Sequence, residues 1–245
     1  MTDLVLRHDA SGVCTLTLNR PDKHNALDTR MFVQLDAHLA DLESASAAIG
    51  CVVLRGAGKS FCAGADIAAM REGVVVPSPM YKPRVIERLA LLPQPVIAAV
   101  HGHCFTGGLE LALAADFILA SDATTFADTH GKWGLVAGWG MTQRLPRRIG
   151  MAQARRMMMT AQVMTALQAM QIGLVDACGD LDAILADWLA RILANSWHTN
   201  VHSKRLLRET EGMPLANGLA HEFFRNPGPA ADLAVRLAQF TAKGG

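Results

Sequence analysis

The sequence predicts an α/β fold in which a mainly parallel sheet comes first and a helical region follows. Two apolar runs, "CVVLRG" at 51–56 and "PVIAAVHG" at 95–102, end in glycine and have the unbroken apolar character of strands buried on both faces. Strands alternate with helical stretches up to about residue 126, whereas the chain from Met141 onward is almost wholly helical in pattern. This order favours parallel strands joined by crossover helices.

The remaining N-terminal elements follow from periodicity. Residues 4–7 and 13–18 alternate between apolar and polar side chains, and the turn-forming residues "DASG" lie between them. From Leu27 to Leu42, leucine and methionine recur at helical spacing, which predicts one helix with an apolar face. "DFILAS" at 116–121 is a third continuous apolar strand of the buried kind.

Four helices are predicted in the C-terminal half, where glycine and proline interrupt the pattern near 173, 212–214 and 226–229. The predicted helices are "MAQARRMMMTAQ" (151–162), "LDAILADWLARILAN" (181–195), "HSKRLLRET" (202–210) and "ADLAVRLAQF" (231–240).

Composition narrows the class of protein. With 245 residues, 51% of them hydrophobic and only 18% charged, the chain can bury a large core and still expose apolar surface, so we expect an oligomer. A net charge of +1, without any run of five basic residues, gives no reason to expect nucleic acid or an anionic membrane as a partner.

The cysteines and the N-terminal residues indicate the compartment. Five cysteines are scattered without a CxxC spacing, which favours a reducing environment over a disulfide framework. The first residues, "MTDLVLRHDASG", carry charges where a signal peptide has an apolar stretch, and no apolar run approaches the length of a membrane span. We therefore expect a cytoplasmic protein.

Several common catalytic motifs are excluded. "LRGAGKSF" at 54–61 resembles a phosphate loop, but Val53 stands where the first glycine is required, and no helix pattern follows the Lys-Ser pair. No GxGxxG follows a predicted strand, and no GxSxG is present. His101 and His103, with Glu110 or His130, are conceivable metal ligands, yet hydrogen-bonded structural histidines are the favoured interpretation, and no metal is predicted.

Two glycine-rich turns follow predicted strands and remain as candidates. "SFCAGADI" occupies 60–67 and "TGGLE" occupies 106–110. Small residues allow backbone amides to approach a ligand closely, so one amide from each turn can bind a single developing oxyanion. Either turn alone also fits an ordinary close-packed connection. Glu110 has apolar neighbours on both sides, and burial raises the pKa of a carboxyl toward values suited to proton transfer.

Five segments resemble the enoyl-CoA hydratase/isomerase, or crotonase, superfamily and keep its motif order over residues 13 to about 178. They are "NRPDKHNAL" (19–27), "SFCAGADI" (60–67), "AAVHGHCFTGGLELALAADFILAS" (98–121), "FADTHGKWGL" (126–135) and "GWGMTQRLPRRIG" (138–150). The resemblance implies a crotonase-like ββα superhelix, or spiral, over residues 1–190, and a C-terminal helical trimerisation region over 191–245. It also implies acyl-CoA thioester substrates, a homotrimer or a hexamer made of two trimers, and no cofactor.

The resemblance also implies roles for individual residues. The backbone amides of Ala65 and Gly107 would form the oxyanion hole for the thioester oxygen, with Glu110 as the catalytic acid and base. Residues of the 63–68 turn would line the path of the CoA moiety, with Asp66 bracing that turn. The substrate-binding residues implied there are Ala63, Asp66, Ile67 and Ala68, and Lys243 is the late lysine left to meet a CoA phosphate.

One position departs from the family pattern. The second catalytic glutamate of the hydratases aligns with His130, and an imidazole can also relay a proton near neutral pH. Trp133 and Trp139 lie near the expected acyl pocket and are predicted to bind the acyl group; aromatic side chains of the core are the alternative interpretation. The interpretation is an enoyl-CoA hydratase-like lyase; the alternatives are an enoyl-CoA isomerase and a catalytically inactive acyl-CoA-binding homologue.

Overall fold

The computed structural model describes residues 3–44, 48–71 and 77–243, with side chains up to residue 240. The strands in this part of the chain are β1 (Val5–Ala10), β2 (Val13–Leu18), β3 (Cys51–Gly56), β4 (Val96–Val100), β5 (His103–Phe105), β6 (Phe117–Ser121), β7 (Thr125–Ala127), β8 (Met164–Thr165) and β9 (Ala177–Gly179).

The helices are α1 (Thr29–Ser44), α2 (Ile67–Arg71), α3 (Tyr81–Leu91), α4 (Gly107–Ala112), α5 (Met141–Thr160), α6 (Ala166–Gln171), α7 (Leu181–Ala194), α8 (Trp197–Thr210), α9 (Leu215–Arg225) and α10 (Leu233–Lys243). Pro21–Lys23 and His130–Trp133 form short 3₁₀ helices.

The main sheet confirms the predicted parallel arrangement. Within the described residues its strand order is β1-β2-β3-β4-β6-β9, and every pair except the β1–β2 hairpin is parallel. Ser11 and Gly12, at the hairpin turn, have φ angles of 50° and 78°, which the predicted "DASG" turn accommodates. The strands β3 and β4 are almost fully buried, as their unbroken apolar character predicts.

A second, smaller sheet is formed by β5, β7 and β8, and its strands alternate along the chain with those of the main sheet. Two turns of the spiral each add one strand to the main sheet and then a shorter one to this sheet before a helix begins: β4 is followed by β5 and α4, and β6 by β7 and a 3₁₀ helix. Cys62, after β3, makes an isolated parallel bridge with Cys104 of β5, and Cys104 pairs with Phe126 of β7. Three strand segments, each from a different turn of the spiral, therefore lie side by side.

One sequence-based expectation was incomplete and another was wrong. The C-terminal half is almost wholly helical, as predicted, but β8 and β9 interrupt the helices and β9 adds an edge strand to the main sheet. Strands of two and three residues are too short to show alternation, so the pattern hides them. Leu27 does not belong to the first helix, which begins at Thr29; its backbone instead pairs with the turn around Ala65.

The C-terminal helices differ in how they meet the core. α7 packs on the main sheet, where Trp188 lies edge-on to Phe117 with ring centroids 4.9 Å apart. The predicted region boundary after residue 190 falls inside this helix. α9 and the described side chains of α10 are largely exposed in the single chain. Over the described ranges, no helix combines the length and the apolar character required to cross a bilayer.

Candidate active site

The three adjacent segments around Cys62, Cys104 and Phe126 bring the predicted site residues together. Residues 63–67 follow Cys62, residues 106–110 follow β5, and residues 128–130 follow β7. Because Cys62, Cys104 and Phe126 lie side by side, the residues that come after them emerge at one edge of the smaller sheet. Sequence-distant groups can therefore act on one ligand at this edge.

The amide of Ala65 is oriented by its neighbours' hydrogen bonds. Leu27 N donates to Gly64 O at 2.8 Å, and Asp66 N donates to Leu27 O at 3.0 Å. In an extended segment successive amides point to opposite sides, so the Ala65 N–H is directed away from Leu27. Among the hydrogen bonds of the described residues, none takes up this N–H.

Gly107 provides the second amide close by. A Cβ atom built on Gly107 would lie 3.3 Å from Ala65 N and only 2.5 Å from Cζ3 of Trp139. Glycine is therefore required here, because any side chain would enter the space between the two amides and the indole ring. As the first residue of α4, Gly107 has no acceptor for its N–H within the helix. The two amides have the close placement expected of an oxyanion hole.

Glu110 is 1% exposed, and one of its two carboxyl oxygens is fixed by hydrogen bonds. Its Oε1 atom accepts hydrogen bonds from Trp139 N at 2.7 Å and from Met141 N at 3.2 Å. Burial raises the pKa of Glu110, against the lowering effects of these two amides and of the charge on His130. These amides leave the Oε2 atom able to accept a proton. A raised pKa makes the carboxylate a stronger base.

His130 faces that second oxygen and is oriented by a carboxylate behind it. Its Nε2 atom lies 3.6 Å from Glu110 Oε2, and its Nδ1 atom lies 2.6 Å from Asp128 Oδ1. Asp128 is 1% exposed and also accepts from His130 N at 3.1 Å. Burial lowers the pKa of His130, but the hydrogen bond and charge of Asp128, together with the charge of Glu110, outweigh it and raise the pKa above its ordinary value.

Asp128 is a site residue that sequence reasoning missed. The Asp-x-His spacing of "ADTH" is the signal that points to it, because a carboxylate two residues before a histidine can reach its ring nitrogen. Its hydrogen bond to Nδ1 fixes Nε2 as the ring atom that faces Glu110.

The predicted CoA-lining turn has a well-defined internal structure. Asp66 accepts from Ala69 N at 3.1 Å and from Arg20 Nη2 at 2.9 Å, so its side chain caps α2 and braces the turn. Ala63 N donates a hydrogen bond to His24 O at 3.0 Å. Ile67 and Ala68 are exposed at the surface. A cleft of about 210 Å³ lies beside this turn, lined by residues 27–29, 66, 69, 70 and Lys82.

The two predicted acyl-pocket tryptophans occupy different environments. The Trp139 ring covers Gly107 and lies edge-on to Phe32, with ring centroids 5.1 Å apart. The Lys82 ammonium is 5.9 Å from the Trp139 ring centre. Trp133, at the end of the 3₁₀ helix that starts with His130, is 59% exposed. Trp139 therefore borders the two amides directly, and for Trp133 a role in binding stays a prediction.

The other residues considered from the sequence have structural partners. His101 Nε2 lies 2.9 Å from Gly58 O, and His103 Nδ1 lies 3.0 Å from Thr125 Oγ1. In the part of the chain that the structure describes, no three His, Cys, Asp or Glu side chains converge as metal ligands would. The side chain of Lys243 lies outside the described residues.

A larger cleft of about 1000 Å³ opens between α5 and α8, away from the paired turns. Two of its basic side chains have acidic partners: Arg144 pairs with Glu87, and Lys204 lies 2.6 Å from Asp116. Because its lining includes neither Glu110 nor His130, the candidate active site is assigned to the edge of the smaller sheet instead.

The spiral of ββα turns defines the class of the protein, which is that of the crotonase-fold enzymes. The sequence profile of the enoyl-CoA hydratase/isomerase family matches residues 8–222, and the chain belongs to this family. The crystal structure of an enoyl-CoA hydratase from Bacillus anthracis superposes with a TM-score of 0.92 at 29% identity, covering 98% of this chain and 97% of that one.

Two relatives carry different activities in their names. The 1,2-epoxyphenylacetyl-CoA isomerase of Escherichia coli is 35% identical over 99% of this chain and 100% of its own length. The short-chain-enoyl-CoA hydratase of Clostridium acetobutylicum is 39% identical over 70% of this chain and 67% of its own. Both relatives act on CoA thioesters, one as an isomerase and the other as a hydratase.

Proposed function

We propose that this enzyme is an enoyl-CoA hydratase-like lyase, which adds water reversibly across the double bond of a 2-enoyl-CoA. The observation that carries the proposal is the 3.6 Å approach of Glu110 Oε2 to His130 Nε2 beside the amides of Ala65 and Gly107. A hydration needs a base for water, a donor for C2 and a stabiliser for the enolate. The site offers one group for each task.

Glu110 acts as the base in this scheme. Its Oε1 atom is occupied by two backbone amides, so the free Oε2 atom receives the proton of the attacking water. The water oxygen forms a bond with C3 while the electron pair of the double bond moves toward the thioester carbonyl. Burial raises the pKa of Glu110, which brings the base nearer to the pH at which it works.

The amides of Ala65 and Gly107 stabilise the enolate oxygen formed in that step. Removing one such donor from an enzyme typically costs about 2.7 to 4 kcal/mol of transition-state stabilisation. Protonated His130 then delivers its Nε2 proton to C2, which completes the addition. Transfer of the proton held by Glu110 to the neutral imidazole restores the starting state.

Asp128 keeps His130 ready for that role. The carboxylate is buried, hydrogen-bonded to Nδ1, and favours the imidazolium form over the neutral ring. Only protons and water move in the scheme, so it requires neither a redox cofactor nor a metal; coenzyme A enters as part of the substrate.

Double-bond isomerisation is the second candidate; the E. coli relative is also named as an isomerase, although its name gives an epoxide as the substrate. Moving a double bond needs one group that removes a proton and returns it at another carbon, and Glu110 alone can do this. A catalytically inactive acyl-CoA-binding protein would keep the two amides without productive chemistry.

One experiment separates the three functions. The purified protein is incubated with crotonyl-CoA and with longer and aryl-substituted 2-enoyl-CoAs, and the loss of enoyl absorbance is followed. Mass spectrometry of the products then distinguishes the gain of one water from an unchanged mass with a moved double bond. Hydration supports the proposal, whereas isomerisation alone, or tight binding of every thioester without turnover, overturns it.

We also propose that residues 191–245 form the contacts of a homotrimer or of a hexamer made of two trimers. The support is a set of large apolar side chains that are exposed on α9 and α10 in the single chain: Leu215, Leu219, Phe223, Phe224, Val235 and Phe240. Light scattering after size exclusion should give three or six times 26.2 kDa. Phe223→Asp combined with Phe224→Asp should reduce that mass; a monomeric parent protein contradicts the proposal.

A further inference from the structure

Thr106, which directly precedes Gly107, has an unusual backbone conformation. Its φ and ψ angles are 52° and −114°. A positive φ is a genuine outlier for a β-branched residue, whereas glycine adopts it readily. Backbone strain of this kind persists only where the surrounding structure imposes it, and it concentrates at functional sites. The threonine side chain therefore calls for an explanation.

The hydroxyl group of Thr106 links the residues after β5 to the residues after β7. Its Oγ1 atom lies 2.5 Å from Thr129 Oγ1 and accepts a hydrogen bond from Thr129 N at 3.2 Å. Thr106 is only 7% exposed, so water competes weakly for these bonds. Since Thr129 is the residue before His130, the hydroxyl connects the turn that carries Gly107 to the segment that carries the histidine.

The backbone of Thr106 extends the same connection. Its N–H donates to Ala127 O at 2.8 Å, and its carbonyl accepts from Glu110 N at 3.0 Å. A Cβ atom built on Gly64, the neighbour of Ala65, would lie 3.3 Å from the Thr106 Cβ. Thr106 thus contacts Glu110, the segment before His130 and the turn that carries Ala65, and it directly precedes Gly107. It is not itself a candidate for contact with the substrate.

We propose that Thr106 is a positioning residue: its hydroxyl, through Thr129, holds the Gly107 amide and His130 in fixed relation around the thioester carbonyl. The inference rests on the proposed function in taking the Gly107 amide as a ligand of that carbonyl. Strain in the Thr106 backbone is tolerated because the hydroxyl bonds secure the geometry. Loss of the hydroxyl consequently affects turnover and carbonyl polarisation more than CoA binding.

Four variants separate the hydroxyl from the backbone. Thr106→Ser keeps the hydroxyl, Thr106→Ala removes it, and Thr106→Gly removes it while relieving the strain. Thr129→Val removes the partner and leaves residue 106 intact. Thr160→Val, at the exposed end of α5, also removes a hydrogen-bonded hydroxyl and is the matched control. Thermal melting of each variant identifies any loss of folding.

We expect kcat to fall about 10- to 100-fold in Thr106→Ala, Thr106→Gly and Thr129→Val, with little change in KM, because small displacements of catalytic groups have effects of this size. Thr106→Ser and the control should keep most of the parent activity. If Thr106→Ala fails to fold, the comparison of Thr106→Ser with Thr106→Gly serves instead, since glycine accepts this backbone conformation freely.

A second readout does not depend on turnover. Butyryl-CoA with a ¹³C-labelled thioester carbonyl is bound to each variant, and the infrared carbonyl band is compared with that of the free thioester. Binding to the parent protein should lower the frequency, Thr106→Ser should reproduce this shift, and Thr106→Gly and Thr129→Val should lose most of it.

The outcomes distinguish this inference from the proposed function. A shift that depends on the hydroxyl supports the positioning role even if no enoyl-CoA is hydrated. A full shift and full turnover in Thr106→Gly overturn the positioning role while leaving a hydratase possible. No shift in the parent protein removes the oxyanion hole itself, and both proposals with it.

Discussion

The Nε2 atom of His130 lies 3.6 Å from the Oε2 atom of Glu110, although the two residues come from different turns of the spiral. Each is held from behind, Glu110 by two backbone amides and His130 by the Asp128 carboxylate. This arrangement places a carboxylate and an imidazole next to each other, with Oε2 of Glu110 and Nε2 of His130 as the closest atoms.

The pair predicts a bell-shaped dependence of kcat/KM on pH. Activity requires ionised Glu110, so it falls as the pH drops through a pKa that burial raises above the ordinary value of about 4.3. Activity also requires protonated His130, so it falls as the pH rises through a pKa that lies above about 6.5. Hydration rates measured from acid to alkaline pH check both limbs, and a profile without the alkaline limb contradicts the role of His130.

Glu110→Gln should lower kcat about 10³-fold, the range typical for loss of an essential general base. The amide keeps the shape of the side chain and an oxygen for Trp139 N and Met141 N, so folding and acyl-CoA binding should persist. Steady-state kinetics and calorimetric titration with butyryl-CoA measure the two effects. Glu43→Gln, at the end of α1, is the control, and equal activity in both variants would remove Glu110 from the mechanism.

Asp128→Asn should move the alkaline limb to lower pH. The carboxylate raises the pKa of His130, so its removal lowers that pKa and the imidazole loses its proton earlier as the pH rises. The measurement is the pH profile of kcat/KM, with the exposed Asp122→Asn as control. An unmoved limb would show that Asp128 does not act on the histidine.

The main elements of the fold could be predicted because their periodicity is strong. The β3 strand occupies residues 51–56, where the apolar run was identified, since a strand buried on both faces admits few polar residues. The two-residue β8 and the three-residue β9 escaped notice because they are defined by their pairing partners rather than by their own pattern. Leu27 fits a helical spacing yet pairs with Ala65, a contact between distant residues that no local pattern encodes.

The site was predicted in part for similar reasons. Glycine-rich turns after strands indicated the amides, and the apolar neighbours of Glu110 predicted its burial, which the structure gives as 1% exposure. The carboxylate of Asp128 went unrecognised because its importance depends on the direction of one side chain toward the His130 ring. The backbone of Thr106 could not be anticipated either, because threonine rarely adopts a positive φ.

Gly107→Ala should abolish most activity without unfolding the protein. The added methyl group would lie 2.5 Å from Cζ3 of Trp139 and 3.3 Å from Ala65 N, so the indole must move and the oxyanion space is reduced. We expect kcat to fall about 10²- to 10³-fold, as on loss of an oxyanion donor. Gly218→Ala on α9 is the control, because its methyl group meets its nearest neighbour at 3.8 Å. Equal kinetics in the two variants would argue against an oxyanion hole at Gly107.

The two tryptophans should respond differently to substitution by alanine. Trp139 covers Gly107 and packs edge-on against Phe32, so Trp139→Ala opens the space beside the amides and should raise KM about tenfold, a loss of about 1.4 kcal/mol of binding. Trp133 is 59% exposed, and Trp133→Ala should have a smaller effect on KM. Kinetics with crotonyl-CoA and with an aryl-substituted enoyl-CoA measure both. A larger effect from Trp133→Ala would place the acyl group against the exposed 3₁₀ helix rather than over Gly107.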